Sequence, residues 1–425
     1  MIKSRSTGDV ALFAPQLSPS YGGVWQFCQW VSRWVGSKER LLLVAPSLLF
    51  EEMPREGWFA GSSIPFEKFR SSVTATAAYR ILEEQLYGRI GGVRVPLYGK
   101  AAWRIKRRFF DGDVIEHALR KRLQQAGVGV LHIPLQCVPF RRLATYFPYV
   151  INPHDFQHEH FPQFFTAKEL NYRRSVWYAD QRKASAVVVH SRRTQADAIK
   201  YLGIPSERVF YAPYGPLDTF GEPDEAALHQ AKKTLCIPDR FIFYPARSWP
   251  HKNHLALVDA LHLLRQRGVR VNAVFTAVVD QQGDAIRERI AARGLRECVR
   301  ILGRVSHQQM GALYRLCTMV VVPSLFEQNS GPMLEAIHVG KAVAVSRIDE
   351  LVDTLDGAGE LFDPRSVSEI AGAIERLWSS QAVLLEAEAK IRARRRRMSW
   401  EPFTDAYRQA YSYARANPVG IRDQT

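Results

Sequence analysis

The sequence predicts an α/β protein built as two consecutive doubly wound domains, each a parallel sheet with helices on both faces. Three observations predict it. The chain has 425 residues, more than one ordinary hydrophobic core accommodates. Short apolar runs bounded by turn residues alternate with stretches of helical period, as strands linked by crossover helices require. A segment dense in proline and glycine, PYGPLDTFGEP from Pro213 to Pro223, separates two such series and reads as an interdomain linker.

The first series opens with a strand at Asp9 to Ala14, a turn at Tyr21-Gly22-Gly23 and an apolar helix from Val24 to Val35. Further strands are expected at Leu41 to Ala45, Val128 to Ile133, Tyr149 to Asn152, Ala186 to His190 and Val209 to Ala212. The stretch from Pro54 to Asp113 shows no regular order. After the linker the alternation is cleaner. Strands are expected at Phe241 to Pro245, Val271 to Ala277, Val299 to Leu302 and Met319 to Val322. Helices are expected at His254 to Gln266, Ala285 to Arg293 and Gln308 to Leu316. The tail reads as three helices, Val367 to Trp378, Ala382 to Arg397 and an aromatic-rich Trp400 to Tyr413.

Composition narrows the classes. A hydrophobic fraction of 46% suits two buried cores. Five cysteines, scattered without a C-x-x-C pair, argue against a disulfide framework or a structural zinc site and fit a reducing cytoplasm. The apolar run Val10 to Ala14 is too short for a signal peptide, and no stretch approaches the roughly 20 apolar residues that span a bilayer. A formal net charge of +16 implies an anionic partner, whether nucleic acid, acidic lipid or phosphorylated substrate.

The densest motif is VVPSLFEQNSGPMLEAIHVGKAVAVS. An apolar strand ends near Pro323-Ser324, and a polar loop leads into a helix starting near Gly331, with Glu327 and Glu335 on either side of that start. A helix N-terminus offers unpaired N–H groups and a positive dipole end, and nearby carboxylates can accept hydrogen bonds from sugar hydroxyls. The pattern points to a nucleotide-sugar site, against the blander reading of Glu327 in a solvated turn and Glu335 on a helix surface. In FYPARSWPHKNH, Arg247 and Lys252 follow a buried strand at the sheet edge where α/β proteins bind ligands, and two cations there could hold a diphosphate. HDFQHEHFPQFF places His154, His158, Glu159 and His160 close together. A metal site is one reading, which Pro153 and Pro162 weaken by breaking helical spacing; a structural strand-end His154 is another. Gly22 and Gly23, between a strand and a helix, would let backbone amides approach a phosphate.

These motifs together resemble family 4 glycosyltransferases. Ser324, Glu327, Gly331, Pro332, Glu335, Ala336, Gly340 and Lys341 fall on the family's donor-site signature; Ser330 stands where that family usually has glycine. The resemblance implies a GT-B architecture, two Rossmann-like domains facing across a cleft. Residues 1–215 would form the acceptor-side domain and 216–399 the donor-binding domain, with the last helix, 400–425, packing back on the first. It also implies roles. Arg247 and Lys252 would bind the donor's diphosphate and Glu335 the ribose. Glu327 would bind the donor hexose, and His154 the sugar near its reacting carbon, with Asp155 orienting the loop. Gly22, Gly23, Ser330, Gly331 and Pro332 would complete the donor site, and Ser191-Arg192 would lie at the cleft. The implied reaction retains the anomeric configuration and takes GDP-mannose or a UDP-hexose as donor. The acceptor would be a glycan or lipid-linked glycan of a bacterial surface polysaccharide or lipopolysaccharide. No cofactor and no metal are expected, since no Asp-x-Asp pair stands at a strand end of the second domain.

Two surface features remain. GKAAWRIKRRFF, Gly99 to Phe110, interleaves aromatics with cations and suits either an anionic membrane surface or the basic face of an ordinary amphipathic helix. Arg394 to Arg397 suits a phosphate-binding run or, as the plainer reading, the cations of a helix C-terminus. Other readings of the whole are a different GT-B enzyme, such as a phosphorylase or sugar-nucleotide epimerase, or a basic membrane- or nucleic-acid-binding protein on a degenerate fold. Nucleic acid is the less expected partner.

Overall fold

Runs such as LLLVA, AVVV and MVVV are apolar on both faces and buried along their length. Strands of that kind are stable only inside a parallel sheet covered on both sides. In the computed structural model, which describes residues 9–14, 23–45, 62–65, 87–90, 93–96, 112–221, 225–276 and 281–420, they build two such sheets.

The first part contains β1 (Asp9–Phe13), α1 (Gly23–Trp30), β2 (Leu41–Ala45), β3 (Ser62–Pro65), β4 (Tyr87–Ile90), β5 (Val93–Pro96), α2 (Gly112–Gln125), β6 (Val128–Ile133) and β7 (Tyr149–Ile151). There follow α3 (Gln157–His160), α4 (Ala167–Tyr172), α5 (Tyr178–Lys183), β8 (Ala186–Val189), α6 (Arg192–Leu202) and β9 (Val209–Tyr211). Its sheet runs β3-β2-β1-β6-β7-β8-β9, while β4 and β5 form a separate antiparallel pair. The second part contains α7 (Glu225–Leu235), β10 (Ile242–Pro245), α8 (His254–Gln266), β11 (Ala273–Thr276), α9 (Gln281–Ala292), β12 (Val299–Ile301), α10 (His307–Leu316) and β13 (Met319–Val322). It continues with α11 (Gly331–Val339), β14 (Val343–Ser346), α12 (Asp349–Leu355), β15 (Glu360–Phe362), α13 (Val367–Ser379) and α14 (Gln381–Arg397). Its sheet runs β12-β11-β10-β13-β14-β15. In both sheets the first strand sits inside and the order reverses beside it, which opens a crevice at the strands' carboxyl ends.

Alternate residues of the first sheet feed two separate core layers, as period-two side chains must. Val10, Leu12, Val130, Val150 and Val188 face one layer; Ala11, Phe13, Leu131, Ile133 and Val187 face the other. The last helix, α15 (Glu401–Ala416), closes the first of these layers with Phe403, Tyr407, Ala410, Tyr411 and Ala414. Polar contacts fix it there: the Tyr411 hydroxyl lies 2.8 Å from His132 Nδ1, and Asn152 Nδ2 donates to the Tyr407 hydroxyl at 2.8 Å. Where the chain crosses back, the Trp400 ring lies flat on Gly215. A Cβ at Gly215 would stand 2.5 Å from that ring, so only glycine permits the approach. Trp400 Nε1 also donates to Pro216 O at 2.8 Å, and Trp34 stacks on the indole at 5.4 Å.

Several expectations are adjusted. The helix expected over Val24 to Val35 is α-helical only to Trp30 and continues as a π turn, Val31–Val35; nearby, Ser32 Oγ donates to the Cys28 carbonyl at 2.8 Å, the kind of side-chain bond that bends helices. Strand β11 is two residues shorter at its start than the apolar run implied, since Val271 packs into the core without joining the ladder. Helices α7 and α12 and strands β14 and β15 were not separately anticipated. Most of Pro54 to Asp113, including 99–110, lies outside the described residues. Among these, no helix is long and apolar enough to cross a membrane.

Candidate active site

Strand β10 delivers the first cations. Arg247 is exposed just past its end, its guanidinium 5.2 Å from the centre of the Trp249 ring. A single 3₁₀ turn, Pro250–Lys252, then brings Lys252 inward. The following residue, Asn253, is left-handed (φ 59°), a conformation asparagine tolerates better than most. Its side chain anchors the bend by donating to Pro323 O at 2.9 Å and Pro364 O at 2.8 Å.

The loop after β13 meets this turn. Glu327 is only 6% exposed, and its Oε1 accepts from Lys252 Nζ at 2.6 Å and Ser324 Oγ at 2.7 Å. The buried Tyr244 hydroxyl donates to Lys252 O at 2.8 Å and lies 3.2 Å from Ser324 Oγ. A buried charge tolerates that position only when paired and hydrogen-bonded, and here both conditions hold.

Ser330 occupies the N-cap of α11, where its Oγ accepts from Met333 N at 3.4 Å. Pro332 stands in the first turn, a position that needs no N–H donor. Gly331 is exposed, with nothing within 4 Å of where a Cβ would lie. The helix start is therefore open to solvent. Glu335, one turn further on, accepts from the Tyr314 hydroxyl at 2.5 Å. Burial pushes its carboxyl up to about 7, and the tyrosine's hydrogen bond opposes that shift.

The first domain supplies the opposite wall. His154, just past β7, places Nε2 3.0 Å from Pro134 O, and burial holds its pKa below the ordinary histidine range. Because a carbonyl only accepts, Nε2 carries the proton and Nδ1 is left as the acceptor. Asp155 Oδ1 accepts from Gln157 N at 3.0 Å and so shapes the loop after His154. Gly23 begins α1; Gly22 lies outside the described residues. Ser191 caps α6, accepting from Thr194 N at 3.1 Å.

The histidines of 154–160 serve separate partners: His158 meets the Tyr178 hydroxyl at 3.0 Å and His160 meets Asp197 at 2.7 Å. Among the described residues no group of three or more His, Cys, Asp and Glu converges as metal ligands would.

The two walls touch through the loop that carries Glu327. Phe326 contacts the His160 and Phe161 rings at 5.8 and 6.0 Å, and Arg193 lies over it at 5.5 Å. Asn329 Nδ2 donates to His190 O at 2.9 Å, and Leu334 of α11 packs into a core layer of the first sheet. Sequence reasoning missed Tyr244, Asn253, Tyr314, Phe326 and Asn329. Only Asn253 had a local signal, an asparagine directly before a helix.

Two parallel doubly wound sheets in consecutive domains, joined through the loop that carries Glu327, with a buried charge pair beside an exposed helix start, define the GT-B class. Within it, residues 239–380 match the family described as Glycosyl transferases group 1. The chain is 30% identical over 229 residues to the serotype-specific mannosyltransferase WbdA of Escherichia coli, a match covering 52% of this chain and 28% of that one. It is 23% identical over 261 residues to the O-antigen chain mannosyltransferase B of Escherichia coli, covering 59% and 66%. The chain thus spans little more than a quarter of the first of these relatives. The fold matches sucrose-phosphate synthase from Thermosynechococcus elongatus (TM-score 0.66, 16% identity, 95% and 99% of the two chains). It also matches Anabaena Alr3699/HepE in complex with UDP and glucose (TM-score 0.64, 16% identity, 95% and 99%).

Proposed function

We propose that this protein is a retaining hexosyltransferase that moves mannose or a related hexose from a nucleotide diphosphate sugar to a glycan or lipid-linked glycan in bacterial surface polysaccharide synthesis. The observation that carries the reading is the buried cluster of Lys252, Glu327, Ser324 and Tyr244 beside the open start of α11, with His154 on the facing domain. The mannosyltransferase names of the two relatives support the sugar and the pathway; the UDP complex of HepE supports a nucleotide donor.

In this reading the bond between the sugar's anomeric carbon and the phosphate oxygen breaks, and charge grows on the departing diphosphate. Arg247 and Lys252 meet that charge. The ammonium of Lys252 has three donors, so it can keep Glu327 and still reach a phosphate oxygen. Glu335 accepts from the ribose hydroxyls, while amides at Ser330, Gly331 and the Gly22-Gly23 turn approach the donor. His154, protonated at Nε2, accepts from a sugar hydroxyl through Nδ1. The acceptor hydroxyl attacks on the face the diphosphate leaves, and its proton passes to the leaving phosphate oxygen. The two cations take the part a metal ion would play; activity abolished by EDTA and restored by manganese would overturn this point.

The protein would work at the cytoplasmic face of the membrane, with the basic aromatic stretch 99–110 as the contact. Co-sedimentation with anionic but not neutral vesicles tests this. For the reaction itself, thermal stabilisation by GDP, UDP and ADP in EDTA is decisive. A nucleotide at 100 times its Kd adds about 2.7 kcal/mol. A clear shift with one of them supports the transferase, and none with any removes it.

A further inference from the structure

Glu350, in the first turn of α12, is 3% exposed, and neither of its carboxylate oxygens has a hydrogen-bond partner among the described residues. Burial pushes its pKa from an ordinary 4.5 up to about 7, so above that pH a charge sits in the interior. An interior charge needs a counter-charge, and this one comes from the other domain. Arg193 of α6 places Nε 3.6 Å from Glu350 Oε1, close enough for attraction and too far for a hydrogen bond.

The same guanidinium reaches two further groups. Its Nη2 lies 3.3 Å from His160 Nδ1. Because Asp197 accepts from His160 Nε2 at 2.7 Å, Nδ1 is the ring's acceptor and Arg193 donates to it. The guanidinium also lies over the Phe326 ring, 5.5 Å from its centre. Its neighbour Arg192 is turned elsewhere, over Tyr211 at 4.1 Å. A chain of polar contacts, Asp197 to His160 to Arg193 to Glu350, thus crosses from the first domain to the second. Phe326, 5% exposed and one residue before Glu327, sits against its middle.

We propose that Arg193 is a positioning residue for donor recognition: bridging Glu350 and Phe326 from the first domain, it sets the loop that aims Glu327 at the donor hexose. The inference rests on the transferase reading above and adds that the second domain does not recognise the sugar by itself. Lys252 and Ser324 both bond Glu327 Oε1, so Oε2 is the oxygen that can meet a sugar hydroxyl. Its direction follows the backbone, which Phe326 anchors on one side of Glu327 and Asn329, bonded to His190 O, on the other.

The test is isothermal titration of the full chain at about pH 8, where Glu350 is ionised. It compares a nucleotide with its hexose conjugate: GDP with GDP-mannose, UDP with UDP-glucose or ADP with ADP-glucose, whichever nucleotide stabilises the protein. Arg193→Ala should weaken the conjugate about five-fold, the effect of a lost cation–π contact of about 1 kcal/mol, and the nucleotide by less than about two-fold. Arg193→Lys, which keeps a cation over Phe326 and opposite Glu350, should recover most of the loss. Glu350→Gln should also weaken the conjugate more than the nucleotide, and adding it to Arg193→Ala should change little, since coupled residues are not additive. Conjugate affinity in Arg193→Ala equal to the parent's overturns the proposal. So does an equal loss of nucleotide and conjugate, which a merely structural role would give, or full additivity in the double variant. If Arg193→Ala does not fold, Glu350→Gln decides on the same comparison. A parent protein that binds no nucleotide removes the transferase reading and this inference with it, whereas equal losses in the variants remove the inference alone.

Discussion

Glu335 depends on a residue that its own motif does not contain. Tyr314, on a different helix, lies fully buried against Phe243 and Phe220 and aims its hydroxyl at the carboxylate. That bond favours the charged form, the better acceptor for the ribose hydroxyls proposed to bind there. Glu335→Ala should therefore weaken nucleotide binding by roughly ten- to a hundred-fold, the range for a hydrogen bond to a charged group of about 1.5–3 kcal/mol, as read by titration calorimetry. Tyr314→Phe should act through pH instead. Without its donor the Glu335 pKa climbs further above 7, so the variant's nucleotide affinity should fall at pH 7 and recover by pH 8.5, whereas the parent protein changes less. A variant whose Kd follows the parent's at every pH would separate Tyr314 from the site. The carboxylates were legible in the sequence because the motif packs Ser324, Glu327, Ser330 and Glu335 into one loop and helix start. Tyr314 was not, because its partner lies 21 residues away and meets it only through the packing of α10 on α11.

Among the elements, the strands were the most legible. Most ends fall within a residue of the apolar runs, since a parallel strand buried on both faces must be apolar throughout; α8 matches its periodic pattern at both ends. The π turn after α1 was not legible, because it depends on how Val31 and Val35 pack. Helix α15 could be read as aromatic-rich, but its hydrogen bonds to His132 and Asn152 span more than 250 residues. Tyr407→Phe and Tyr411→Phe each leave a buried polar group without its partner, and each should cost about 1–3 kcal/mol in urea unfolding. Gly215→Ala drives a methyl into the Trp400 ring and should cost about 1–3 kcal/mol by overpacking. A Gly215→Ala protein as stable as the parent would mean that the crossing can shift to make room.

Across the whole molecule, buried ionisable groups set the response to pH. Burial lowers His132 and His158 to about 4 and His190 and His251 to about 3, from an ordinary 6.5. These groups fold neutral, so their stabilising effect is complete above pH 6.5 and is lost as pH falls towards 4. Glu335 and Glu350 act oppositely. With pKa values raised by burial from 4.5 to about 7, they favour the folded state below pH 4.5 and lose that effect as pH rises to 7. Four histidines outweigh two carboxyls between pH 4.5 and 6.5. The Tm should thus climb through that window, peak near pH 6.5 and decline slightly above it; calorimetry of the ligand-free protein across pH 4.5–8 measures the curve, and a Tm that falls between 5 and 6.5 would contradict it. By itself the sequence determined the two parallel sheets and the residue types of the Ser324–Glu335 motif, because hydrophobic period and short-range spacing are local properties of a chain. Tertiary structure alone decided that Lys252 is held by Glu327, that Phe326 and Asn329 of the second domain fasten onto the first, and that α15 returns to the first sheet. Each of those contacts joins groups tens to hundreds of residues apart, and only packing brings them within reach.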